Sequence, residues 1–172
     1  MKPFWIHVKG PKLAQGDWLP ECLVPIFEPD FGEKNEPNDV PVSSADLIVV
    51  TQSCDLENEK VPLAALCPIY TLAVFEEANP DFRKKGKWES VRKGQVVGLH
   101  LLASPKTPED NQASLVVDFG HIISLPFAYL ASRADSLGSR WRLDSPFLEH
   151  FSQAFARFFM RVGLPSSIPP FK

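Results

Sequence analysis

A chain of 172 residues, 44% hydrophobic and 23% charged, has the composition of one globular domain with room for a real core, which excludes disorder throughout. Its 17 prolines exclude a bundle of long helices, because proline neither donates to a ladder nor continues a helix interior. The net charge of −3 excludes a global attraction to nucleic acid or anionic lipid, so any such binding must come from a local patch.

Phe4 to Val8 alternates apolar Phe4, Ile6 and Val8 and predicts a short strand before the Gly10-Pro11 turn. Trp18 to Phe27 contains two prolines, which suits an edge strand. The segment from Glu28 to Asp46 is acidic and rich in Pro and Asn, and is expected as a surface loop. Leu47-Ile48-Val49-Val50 is a continuous apolar run and predicts a central strand buried on both faces. Further strands are expected over Val61 to Leu72 and Gly94 to Leu102, and a strand pair around Gly120 from Leu115 to Phe119 and Ile122-Ile123. Between them Arg83, Lys84, Lys85, Lys87, Arg92 and Lys93 form a basic segment interrupted by Glu89, expected as a solvated loop and turn.

Helical signals come late. Pro126 opens Phe127 to Leu137, closed by Gly138, and Ser145-Pro146 opens a second helix ending at Gly163. In the second, Phe147, Phe151, Ala154, Phe155, Phe158 and Val162 recur at spacings that make one core-docking stripe. The residues after Pro165 read as an extended tail. The expected fold class is a β-rich α+β single domain over residues 1–172, closed by a long amphipathic C-terminal helix.

No run approaches the ~20 apolar residues that span a bilayer, and Met1 to Trp5 lacks the apolar region of a signal peptide. Cys22, Cys54 and Cys67 are odd in number and widely spaced, as in a cytoplasmic protein with reduced thiols. They lack the C-x-x-C pair of a structural zinc site, so no metal and no other cofactor is expected.

Three constellations carry chemistry. Thr51-Gln52-Ser53-Cys54-Asp55-Leu56 follows a buried strand, where Cys54 beside Asp55 makes a nucleophile if His100 or His121 serves as its base. The plainer alternative is a buried cysteine followed by an aspartate that caps a turn. Asp118 and His121 flank Gly120 at a strand end, an acid and an imidazole suited to proton transfer, or else a turn cap and a surface histidine. His150, Gln153, Arg157 and Arg161 share one stripe of the last helix, and with Lys84 and Lys85 they could contact phosphate or an acidic partner. Cations near a helix C-terminus are also favoured by its dipole alone.

The order of Gly16-Asp17, Leu47 to Thr51, Leu66-Cys67-Pro68-Ile69, Ser114 to Asp118 and the helix Phe127 to Gly138 resembles the MazF/PemK-type toxin family. The resemblance implies a small SH3-like β-barrel, an RNA-facing groove and a homodimer. The arginine and hydroxyl residue that active members use for cleavage would fall at Ala45 and Tyr70, with Thr71 one place late. A one-residue slip on a strand turns a side chain to the other face. The expectation is an RNA- or protein-binding barrel of a toxin–antitoxin or defence system, with cleavage not carried over. A non-enzymatic protein-interaction module and a thiol enzyme using Cys54 are the alternatives.

Overall fold

The computed structural model describes residues 2–29, 31–32, 39–58 and 60–160. Eight strands and five α-helices alternate irregularly in these residues. They are β1 (Trp5–Lys9), β2 (Trp18–Pro25), β3 (Val42–Val49), α1 (Ser53–Glu57), β4 (Leu63–Thr71), α2 (Leu72–Ala78) and α3 (Lys87–Arg92). There follow β5 (Leu99–Leu102), β6 (Leu115–Asp118), β7 (Ile123–Pro126), α4 (Phe127–Ser136), β8 (Ser139–Leu143) and α5 (Phe147–Phe159). The fold is mixed α+β with a sheet-rich core. The helix stripe expected to end at Gly163 is described as far as Phe159, and residues 161–172, with Arg161 and the tail, lie outside the described residues.

Strand β4 is the hub. One edge pairs with β3, matching Leu47 to Pro68 and Val49 to Leu66. Its other edge is shared, since Leu63 to Leu66 pair with β7 and Ile69 to Thr71 pair with β6. The order is β2-β3-β4-β6-β5 with β7 beside β4, all antiparallel. Strands β1 and β8 form a separate ribbon, tied to the start of β2 by a bridge between Asp17 and Arg142. These are open sheets: among the described residues no ladder joins β5 to β1 to close a barrel.

Parity places the core. Along β3, Leu47 and Val49 face one apolar cluster and Ile48 and Val50 the other, and Ala64 with Leu66 and Cys67 with Ile69 do the same along β4. This is why both strands read as continuous apolar runs. Helix α4 supplies Leu130 and Ala134 to the first cluster. The ribbon and α5 cover the second, with Phe151 fully buried and its ring 5.5 Å from that of Phe119. Each fully buried side chain of this kind contributes about 1.5–3 kcal/mol.

Three expectations change. Residues 42–46, expected in the acidic loop, belong to β3, where Val42 pairs with Pro25 and Ala45 with Cys22. Strands β6 and β7 do not pair with each other, because each satisfies its backbone on a different half of β4. The basic segment is helical in part: Trp88 and Val91 of α3 lie three apart, and the Trp88 ring packs 5.0 Å from Phe82 and 5.7 Å from Phe75. The expected edge strand β2 is one. Its exposed backbone is covered from α4, where Tyr129 Oη accepts from Leu23 N at 2.7 Å and Arg133 Nη2 donates to Pro20 O at 2.9 Å.

Candidate functional site

The motif after β3 is taken up by structure. Thr51 Oγ1 accepts from Ala65 N at 2.7 Å, and Ser53 Oγ accepts from Gln15 N at 3.1 Å. The Gln15 side chain then donates to Val50 O at 2.9 Å and accepts from Ser152 Oγ of α5 at 2.9 Å. These bonds knit the end of β3 to β4, to the loop before β2 and to α5. Cys54 is exposed, not buried, and its Sγ lies 3.8 Å from Gln52 Oε1 and 3.9 Å from Asp55 Oδ1. No imidazole, ammonium or guanidinium hydrogen-bonds it among the described residues.

Asp118 closes β6, where its Oδ1 accepts from Gly120 N at 2.8 Å in a turn. His121 N reaches the Asp118 carbonyl at 3.4 Å, and no hydrogen bond joins their side chains among the described residues. The positions of the family resemblance are likewise taken up by structure, and Ala45 sits in β3 paired with Cys22 of β2. Thr71 Oγ1 caps α2 by accepting from Val74 N at 3.3 Å, and the Tyr70 ring packs 5.9 Å from Phe75. Lys84 is exposed and paired with Asp81 at 2.5 Å.

What the fold does bring together is a cleft of about 650 Å³ between α3 and α5. One wall is Arg92, Lys93 and the turn to Gly98; the other is His150, Gln153, Arg157 and Phe158; the floor is β5 with His100. No Asp or Glu is among the residues that line it. Arg92 and Lys93 share one carboxylate, Glu89, at 2.6 and 3.4 Å, whereas Arg157 has no ion pair among the described residues. A second depression, lined by Lys84, Lys85 and Lys87, meets the cleft at Val96.

Two local features shape it. Gly98 adopts φ +91°, and a Cβ there would lie 3.2 Å from Phe158 Cε2, so only glycine lets the turn approach α5 this closely. His100 stands between rings, 5.9 Å from Phe119 and 5.8 Å from Phe151. Burial, and then the charge of His150, push its pKa down to about 4. It therefore offers a neutral imidazole at the floor.

Of the residues singled out in the sequence, His150, Gln153 and Arg157 line this cleft and Lys84 and Lys85 adjoin it, whereas Cys54, Asp55, Asp118 and His121 are not among its lining residues. Arg92, Lys93 and His100 were legible only as a charge run and as a base for Cys54; a lone polar residue inside Leu99-His100-Leu101-Leu102 is the signal for the last. No cluster of His, Cys, Asp and Glu suited to a metal ion occurs among the described residues. Nor is any helix there long and apolar enough to cross a membrane. No family model matches the chain, and no curated protein or solved structure matches it significantly.

Proposed function

We propose that this protein is a non-catalytic binding module that holds an anionic partner in the cleft between α3 and α5. The observation that carries the reading is the lining: three cations and two histidines without a carboxylate, in a chain of net charge −3. Such a surface concentrates positive potential locally and favours encounter with anions. Binding is favoured over catalysis because an imidazole whose pKa is about 4 is a weak base at neutral pH. Cys54, which no imidazole hydrogen-bonds among the described residues, and Asp118, engaged by Gly120, support the same conclusion.

The MazF/PemK resemblance gives a narrower second reading, favoured by one observation. Its motifs fall in order on β3, β4, β6 and α4, and β4 divides one edge between two strands. On this reading the partner is RNA, the setting is a toxin–antitoxin or defence system in the cytoplasm, and the protein is a homodimer. Ala45 and Tyr70 keep cleavage out of it.

The test uses the full chain and two labelled probes, an eight-nucleotide RNA and an octaglutamate, with anisotropy read at low and moderate salt. Binding of either probe that weakens with salt, and weakens about tenfold in Arg157→Glu, is the expected result. Absence of salt-dependent binding to both overturns the reading. Time-dependent shortening of the RNA overturns its non-catalytic part.

A further inference from the structure

Strand β5 is an edge of the six-stranded sheet, and the cleft runs along it. The bond from Phe119 N to Gly98 O at 2.7 Å sets which of its residues face inward. In an antiparallel ladder hydrogen-bonded pairs alternate with non-bonded ones, so Gly98, His100 and Leu102 bond to β6 while Leu99 and Leu101 turn their N–H and C=O outward. The next outward carbonyl, that of Ala103, accepts from Trp5 Nε1 at 2.7 Å, as this phase requires. The outward groups of Leu99 and Leu101 have no hydrogen-bond partner among the described residues, and both residues line the cleft.

The two helices leave this edge open between them. The Leu99 and Leu101 side chains, like Trp88 of α3, pack against the cluster of Leu72, Phe75 and Val116, and His100 meets Phe151 of α5 on the opposite face. An added strand would lie in the slot, its side chains alternating between the two walls. Main-chain bonds to a free edge supply affinity and the walls supply selection. Arg92 and Lys93 on one side, and His150 and Arg157 on the other, with Glu89 as the one carboxylate in an ion pair with any of them among the described residues, select acidic side chains.

We infer that β5 accepts an extended acidic peptide of a partner protein as an added strand between α3 and α5. The choice of an acidic peptide rests on the anion-binding reading above; the free edge does not.

The experiment uses a labelled peptide of alternating Glu and Val, eight residues long, and two versions N-methylated on alternate residues, one in each phase. The parent is expected to bind the full chain, one methylated version to bind at least tenfold more weakly and the other to bind like the parent. The Leu99 and Leu101 amides should shift in NMR spectra and slow their hydrogen exchange. Equal binding of all three peptides overturns the inference and leaves the anion-binding reading intact, as does salt-dependent binding of RNA without binding of the peptide. Failure of every anionic probe removes both.

Discussion

Arg140 donates from Nε to Asp17 Oδ2 at 2.9 Å across 123 positions of sequence, with both side chains fully buried. The same guanidinium donates to Gly10 O at 2.6 Å and to Lys12 O, and Arg142 also donates to both Asp17 oxygens. One carboxylate thus holds the β1–β8 ribbon against the start of β2. Removing it strands a buried cation with no counter-charge.

Asp17→Ala is therefore expected to lose about 3–5 kcal/mol in urea unfolding, the range for breaking a buried pair from one side. Arg142→Ala should lose less, because that side chain keeps 23% exposure. Equal losses would mean that burial is not what sets the strength of the pair.

Gly98→Ala is expected to destabilise the chain by more than Gly94→Ala. Both have positive φ, +91° and +69°, and share the cost of about 1 kcal/mol for placing a side chain there. Only at Gly98 would the new Cβ press on Phe158, whereas nothing lies within 4 Å at Gly94. Thermal melting of the two variants isolates that contact, and equal midpoints would show that α5 yields freely.

Alkylation of the native protein should modify Cys54 alone, and all three thiols once unfolded. Burial pushes the Cys22 thiol up to about 11 and the Cys67 thiol up to about 12, so neither forms thiolate near neutral pH. A raised folded-state pKa means that the native state keeps protons the unfolded chain releases. Stability is then full below pH about 9 and falls as pH rises toward 11 and 12. Mass spectrometry of the labelled chain reads the first expectation, and denaturation across alkaline pH reads the second.

His100 has the opposite sign. Its folded pKa of about 4 lies below the ordinary 6.5, so the unfolded chain binds the proton first as pH falls. Its contribution is complete above pH 6.5 and lost on acidification toward pH 4. His100→Phe, which keeps a ring between Phe119 and Phe151, is expected to flatten stability across that interval. An unchanged acid limb would show that His100 stays solvated when folded.

The strands β3, β4 and β6 and the helices α4 and α5 were legible because their signals are local. An apolar run rich in β-branched residues, or a Pro-opened stripe at three- and four-residue spacing, states its own conformation. Helix α2 was not: Leu72-Ala73-Val74-Phe75 continues the apolar run of β4, and the Thr71 cap marks where the chain turns into a helix. Strand β8 was missed for another reason. Arg140-Trp141-Arg142 looks like solvent-facing polar sequence, and it is a strand because its arginines find Asp17 far back in the chain.

The candidate site divides in the same way. Local periodicity in the chain was enough for a mixed α+β fold, a doubly buried central strand and a basic segment, since each depends on neighbours within a few residues. Tertiary structure alone decided that the turn before β5 and the face of α5, about sixty residues apart, would form one acid-free cleft. It alone also decided that the apolar β5 would be an edge with outward groups unpaired, because strand order follows from long-range pairing. Charge and hydrogen-bond vacancy at a surface are sums over residues that the chain keeps far apart until it folds.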